Sequence, residues 1–377
     1  MGCVNKVLIV GGGIGGLATA IAMRQKGIEV DLVEIKTEWT VYGVGIIQPS
    51  NALRALSKIG LAQRCIDNGW PFEGWQLFTQ EGELLHSVPT PRAEGADCPP
   101  NNGITRPILH DMLSQTAIEH GVRVELGTSV EAITQTTESA HVTFTDGRQA
   151  HYDLVVGADG VYSKVRDLMF GRTELKFVGQ AVWRFITERP KDMRWGGIYY
   201  GHRNKVGLVP LSEELMYLFL VTAEPGNPRK PLDQLHTLLG EHLQDYSGLI
   251  AELAQRVTDP AQVVYKPIEE LFVEGSWHRG RVVLLGDAAH ASSPHLAAGA
   301  AMALEDAVLL GDLLDEHQDV ESALSAYDVR RQPRCRNVTD ACGKLIEAEL
   351  QQWAGQAPTH DAGQVFGEAL RDLARPF

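Results

Sequence analysis

KVLIVGGGIGGLATAIAMRQKGIEVDLVE, residues 6–34, is the stretch that decides the fold. Val7, Leu8, Ile9 and Val10 read as a short buried strand. Gly11, Gly13 and Gly16 then occupy the positions of a GxGxxG turn, and the spacing predicts a helix from about Gly15 to Lys26. Gly27 closes that helix, and residues 28–34 read as the next strand. In such a βαβ unit the first glycine permits the tight turn. The second lets the backbone approach a pyrophosphate, and the third lets helix and strand pack closely. Glu34 ends the second strand, where a carboxylate can accept both ribose hydroxyls of an adenosine and would repel a 2′-phosphate. Strand, helix and terminal acid in register predict a dinucleotide site rather than a glycine-rich helix cap. The five glycines also argue against reading the uncharged residues 7–23 as a signal peptide.

The remainder of the chain sets bounds on that reading. Its 377 residues suffice for one large or two moderate domains. A net charge of −14 disfavours nucleic acid or an anionic membrane as a bulk electrostatic partner. No segment is long and apolar enough to span a bilayer. The five cysteines are odd in number and show no CxxC spacing, so neither a disulfide framework nor a zinc site is expected. These features predict a cytoplasmic protein without a metal.

Two further buried-strand signals recur late. Leu154-Val155-Val156 ends in Gly157-Ala158-Asp159-Gly160, and Val282-Val283-Leu284-Leu285 ends in Gly286-Asp287-Ala288-Ala289-His290. Each acid has a plain alternative reading as a turn residue. With an adenosine site near residue 11, however, an acid as late as Asp287 has a role only if the ligand extends well past the nucleotide. FAD does so through its ribityl chain and flavin, whereas an NAD-only site leaves Asp287 idle. Strand-rich sequence lies between these signals. The expected fold is therefore α/β: a discontinuous Rossmann-like FAD-binding domain with an inserted mixed-sheet substrate domain and C-terminal helices. The FAD domain is assigned residues 1–75, 101–175 and 275–345, and the substrate domain 76–100 and 176–274. Residues 346–377 read as an uninformative tail.

Here the chain resembles the single-component flavin-dependent aromatic hydroxylases, the para-hydroxybenzoate hydroxylase and salicylate hydroxylase group. Three motifs carry the resemblance: residues 11–16 with Glu34, DLVVGADGVYSKVR at 153–166, and GDAAHASSPHLAAGAAMALED at 286–306. Arg106, in Thr105-Arg106-Pro107, fits as well, and order and spacing agree over about residues 5–340. The resemblance implies that Gly13 and Ile14 line the pyrophosphate, that Glu34 binds the ribose, and that Arg106 contacts the pyrophosphate or ribityl region. It places the Val130 backbone at adenine, Asp159 near the FAD phosphate and the path of NAD(P)H, and Asp287 on the ribityl chain. Pro294, Gly299 and the residues between them would run beside the flavin ring. Ala298 stands where many relatives carry Gln, as in the salicylate-type PHxxAG version.

The activity so implied is hydroxylation of a small aromatic or N-heteroaromatic compound with NADH or NADPH and O₂, through a C4a-hydroperoxyflavin. A flavin-dependent reductase or dehydrogenase of the same fold, and a non-catalytic flavin-binding regulatory protein, are the alternatives. The catalytic candidates are His295, beside Pro294; Tyr217, in a half-buried strand; and Arg184, which could pair with a substrate carboxylate or form a surface salt bridge. Gln48 is expected to point into the active cavity. His202, Arg203 and Lys205 read as a solvated hairpin tip. His290 marks its motif without being assigned as a base. The assembly is expected to be a monomer or homodimer.

Overall fold

Short apolar runs align side by side as the parallel centre of the molecule. The structure, a computed structural model, describes residues 2–40 and 43–377. One six-stranded sheet has the order β18-β19-β12-β1-β2-β8, built from β1 (Lys6–Val10), β2 (Glu29–Glu34), β8 (Arg123–Leu126), β12 (Leu154–Gly157), β18 (His278–Arg279) and β19 (Val282–Leu284). Only the β18–β19 pair is antiparallel. The central strands β1, β12 and β19 are apolar because both faces are covered. Val10 pairs with Val33 and Gly157, and Gly157 with Leu284, so the carboxyl ends of four strands finish at one edge. Gly11, Glu34, Asp159 and Asp287 all emerge there, at the crevice where open α/β sheets bind ligands.

Helices cover the sheet. α1 (Ile14–Gln25) packs against α4 (Arg106–Glu119) and α9 (Gly299–Glu316), and α2 (Ser50–Lys58) and α10 (Val320–Trp353) also pack on α9. α3 (Ala62–Asp67), α5 (Lys164–Met169) and α8 (Asp287–His290) are short. Two small sheets accompany this body. One is the meander β9 (Val130–Gln135), β10 (Ala140–Phe144), β11 (Gln149–Tyr152). The other has the order β3-β7-β4, from β3 (Gly45–Pro49), β4 (Trp70–Phe72) and β7 (Asn101–Thr105).

The second body is a seven-stranded sheet of order β17-β13-β16-β15-β14-β5-β6. Its strands are β5 (Gly74–Phe78), β6 (Leu84–Pro89), β13 (Lys176–Glu188), β14 (Gly196–Tyr200), β15 (Asn204–Pro210), β16 (Leu215–Ala223) and β17 (Val263–Glu270). Period-two alternation divides its side chains between two faces. Trp183, Phe185, Leu208, Leu218 and Leu220 form a core with α6 (Leu235–Leu243) and α7 (Gly248–Ala254). Trp183 is fully buried, and its indole N–H is satisfied by Thr222 Oγ1 at 3.1 Å. Truncating Leu220 to Ala here costs about 2–5 kcal/mol. The residues between them, including Arg184, Lys205, Tyr217 and Phe219, face a large cavity instead.

The expected domain limits fall inside elements at two points. The 75/76 boundary cuts β5, which belongs to the seven-stranded sheet, and 345/346 cuts α10. The tail is not featureless. It completes α10 and forms α11 (Ala362–Ala374), which packs against α10 and α2.

Candidate active site

A cavity of about 1700 Å³ runs from the strand ends of the parallel sheet to the face of the seven-stranded sheet. A site for one drug-sized ligand occupies roughly 300–1,000 Å³, so this volume suits a dinucleotide and a substrate together. At its cofactor end the glycine turn is shaped by close approach. Gly11 has φ +109°, and a Cβ there would fall 2.4 Å from Ala158 O; one on Gly16 would fall 2.0 Å from Gly11 O. Gly16 is a packing residue outside the cavity lining, whereas Gly13 and Ile14 line the cavity, and nothing lies within 4 Å of a Cβ built on Gly13. The Glu34 carboxylate is held beside this turn, accepting hydrogen bonds from Gly12 N at 2.8 Å and Lys36 N at 3.1 Å.

At the cofactor end, Arg106 and Asp287 each offer a polar group that no described residue satisfies. Arg106 opens α4, and its buried Nε donates to nothing. Asp287 is enclosed by protein yet open to the cavity, and its carboxylate accepts no protein hydrogen bond. Burial pushes its pKa up, while His290 and Arg106 pull it back. A carboxylate without donors, a guanidinium with a spare donor, and an open backbone turn fit the ribityl hydroxyls and pyrophosphate of FAD. Pro294, Gly299 and Leu285 line the same space.

Asp159 lines the cavity beside the glycine turn, and its carboxylate is also engaged at the start of α5. It accepts from Ser163 Oγ, from Lys164 N at 2.7 Å and from Val165 N at 3.0 Å. Two expectations, Val130 and Gln48, are corrected here. Val130 is buried at the start of β9 and does not reach the cavity, although its neighbour Ser129 does. Gln48 is fully buried, with Nε2 donating to Ile47 O at 3.1 Å, outside the cavity that its β3 neighbours Gly45, Ile46, Ile47 and Pro49 line.

At the substrate end, His295 does not stand free as a base. Its ring is 1% exposed, with Nε2 3.1 Å from Glu349 Oε2 and Nδ1 3.0 Å from Ser293 Oγ. The carboxylate requires an N–H at Nε2, which leaves Nδ1 to accept from the serine hydroxyl. Burial lowers its pKa, Lys205 lowers it further, and Glu349 opposes both. His295 therefore ties the loop at 294–299 to α10. Glu349 also accepts from Gln180 Nε2 at 3.1 Å and pairs with Lys205 Nζ. Burial alone would raise its pKa, but Lys205 and His295 prevail and hold it at about 2. Lys205 is thus a half-buried cavity residue, not part of a solvated tip; His202 and Arg203 are the exposed members of that turn.

Arg184 and Tyr217 do face the cavity. Among the described residues Arg184 has neither an acid partner nor a hydrogen bond, which excludes the surface salt bridge. Burial draws its pKa down to about 10, with Arg106 adding to the effect and Tyr217 opposing it. Burial pushes the Tyr217 phenol up to about 12, against the pull of Arg184 and Arg106, so it stays a neutral donor. Its ring lies where Gly45 has no side chain: a Cβ there would sit 2.0 Å from Tyr217 Cδ1. Phe219 lies over Gly207 in the same way, at 2.0 Å. The two rings therefore lie close against backbone.

A model of the FAD-binding domain family matches residues 5–342. The chain is also 35% identical over 378 residues to YetM of Bacillus subtilis (strain 168), provisionally assigned as an FAD-dependent monooxygenase, covering 99% of this chain and 100% of that one. The chain belongs to the FAD-dependent monooxygenases. It is 36% identical over 310 residues to the 2-heptyl-3-hydroxy-4(1H)-quinolone synthase of Pseudomonas aeruginosa, covering 81% of this chain and 80% of that one. Its fold matches that of Klebsiella pneumoniae HpxO complexed with FAD and uric acid, with a TM-score of 0.86, 24% identity, and coverage of 98% and 96%.

FAD is the cofactor of this monooxygenase. His290, the emblem of the third motif, lies outside the cavity lining, buried against Trp277 and paired with Asp306. His290, Asp306 and Cys335 lie close enough to share an ion, but Arg331 already stands among them, 2.6 Å from Asp306 Oδ1 and 3.6 Å from Cys335 Sγ. That cluster is an ion-paired core. Sequence reasoning missed Glu349 and the cavity-lining residues Phe366 and Leu370 of α11. The spacing of Phe366 and Leu370, one helical turn apart, was the available signal.

Proposed function

We propose that this monooxygenase oxygenates a planar aromatic or N-heteroaromatic ring bearing an oxygen substituent, with NADH or NADPH as reductant. The observation that carries the reading is Arg184: a cation without an acid partner, beside the neutral donor Tyr217, in the cavity that also holds Asp287. Leaving a cation in that state is unfavourable unless a ligand supplies the counter-charge. A phenolate, enolate or carboxylate oxygen does so, and stabilising a ring oxyanion raises electron density on the ring.

Bound FAD supplies electron transfer from NAD(P)H and activation of O₂. The chain does the rest. Asp287, Arg106 and the glycine turn fix the cofactor. Tyr217 and Phe219, their rings tilted 40° to each other, give the cavity an aromatic wall that excludes water. His295 and Glu349 brace the loop at 294–299 against α10 and β15. Overall, a ring C–H, O₂, NAD(P)H and a proton become C–OH, NAD(P)⁺ and water. The quinolone named for one relative is an N-heteroaromatic product, which supports this substrate class.

The test is a panel of phenols, hydroxybenzoates and hydroxylated N-heterocycles given to holoenzyme with NADH or NADPH under ¹⁸O₂. A fitting ring accelerates NAD(P)H oxidation and yields labelled product. Turnover under anaerobic conditions without label, or no response to any ring, overturns the proposal.

A further inference from the structure

Strand register gives the cavity face of the seven-stranded sheet a direction. Arg184 pairs with Phe219, Phe219 with Gly207, Gly207 with Ile198, and Ile198 with Leu77. The row begins with the unpaired cation and is apolar from there to β5. At about 4.8 Å per strand, the four steps from β16 to the edge strand β6 span about 19 Å, far longer than one aromatic ring. Gly207 adds no side chain to the row, since Phe219 covers it. From another part of the chain, α11 contributes Phe366 and Leu370 to the same cavity.

Phe219, Ile198, Leu77, Phe366 and Leu370 are all only partly buried, because they border the cavity. FAD does not account for this arm. The groups fitted to it come from the parallel sheet, α4 and the loop at 294–299, whereas Leu77 and Ile198 stand on the far strands of the other sheet. Apolar surface kept open inside a cavity favours an apolar ligand group that covers it. Beyond Leu77 the register reaches His86 of β6; Val88, two positions along that strand and opposite Trp75, lines the cavity and is 41% exposed, so the arm opens toward solvent there.

We infer that the ring oxygenated by this enzyme carries a linear alkyl chain, which lies along Phe219, Ile198 and Leu77 and against the α11 residues Phe366 and Leu370. The inference rests on the aromatic reading above and adds to it an amphipathic substrate: a polar head at Arg184 and Tyr217 and an apolar tail pointing to β6. Because the arm has no end wall, chain length is sensed only as far as β6.

The experiment uses FAD-loaded enzyme and two ring series, alkylphenols and alkyl-hydroxyquinolines, each unsubstituted and with methyl, propyl, hexyl and decyl chains. Product is counted alongside NAD(P)H oxidation. In at least one series kcat/KM rises by roughly fourfold per methylene over the short chains and then reaches a plateau. Ile198→Ser and, separately, Phe366→Ser reduce the ratio of hexyl to unsubstituted kcat/KM at least tenfold, through KM, with flavin absorbance retained. The chain series in unmodified enzyme decides the matter even where a variant folds poorly. Ring-stimulated turnover with no preference for the chain overturns this inference alone. No ring-stimulated turnover in either series overturns this inference, while the wider ring panel above decides the aromatic reading separately.

Discussion

His290 Nε2 and Asp306 Oδ2 lie 2.7 Å apart in a pair that water does not reach. The same Asp306 oxygen accepts from Gly286 N at 3.0 Å, and its other oxygen takes Arg331 Nε at 2.6 Å. Asp306 therefore links α9 and α10 to the turn that presents Asp287 to the cavity. Asp306→Asn leaves two buried cations undercompensated. The expected loss is about 3–5 kcal/mol, with weaker FAD retention. Urea unfolding of the apo and FAD-loaded forms measures both; a variant as stable as the parent contradicts the assignment.

Acid sensitivity follows from the same chemistry. Asp306 and Glu349 are each held near pKa 2. For Asp306, burial pushes upward but is outweighed by His290 and Arg331. Unfolded Asp and Glu titrate near ~3.9 and ~4.3. Folded values below unfolded ones mean that the stabilisation is complete above the unfolded pKa and is lost as pH falls through the folded one. Stability is thus expected to fall between about pH 4.5 and pH 2, and less steeply in Glu349→Gln. Thermal melts across that window check it; a flat profile refutes it.

Asp287→Asn separates binding from folding. Losing a charge-assisted acceptor is expected to weaken FAD binding roughly tenfold to a hundredfold. Apo stability should hold or rise, since the carboxylate has no protein donor to lose. Flavin fluorescence titration and apo-protein melts give the two numbers, and an unchanged Kd removes Asp287 from the site.

Arg184→Met is expected to trade stability against activity. Removing an unpaired, desolvated cation leaves the apo protein as stable or more so, while kcat/KM for an oxyanion-bearing ring falls about tenfold or more. A large drop in stability would reveal a structural partner for Arg184 and count against its role as a substrate anchor.

Gly45→Ala probes the Tyr217 ring. The new methyl would overlap Cδ1, so the ring must move. FAD binding should persist, and the fraction of NAD(P)H oxidation appearing as peroxide instead of product should rise. Unchanged coupling would show that the position of Tyr217 does not matter.

The cofactor half was legible because each part is local. Gly11, Gly16 and Glu34 belong to one βαβ unit, and Asp287 follows its own apolar run. The substrate half depends on meetings the chain pattern does not encode. Glu349 reaches Lys205 across 144 positions and His295 across 54. That contact turned a supposed hairpin tip into a cavity wall and a supposed base into a brace. Gln48 went astray for a local reason, since its amide turns back onto the strand's own carbonyl at Ile47. Asp159 lines the cavity as well as holding the start of the helix that follows it, a contact its sequence did not announce.

The interleaving of β2, β1, β12 and β19 has a consequence in time. β19 and Asp287 are translated long after the glycine turn they complete. At about 5–20 residues per second, the first 287 residues take roughly 15–60 s to emerge. Throughout that interval the nascent chain carries its glycine turn without the acid that lines the same cavity. The cofactor end of the cavity is therefore completed only after most of the chain has been made, and a flavin-free nascent chain precedes it.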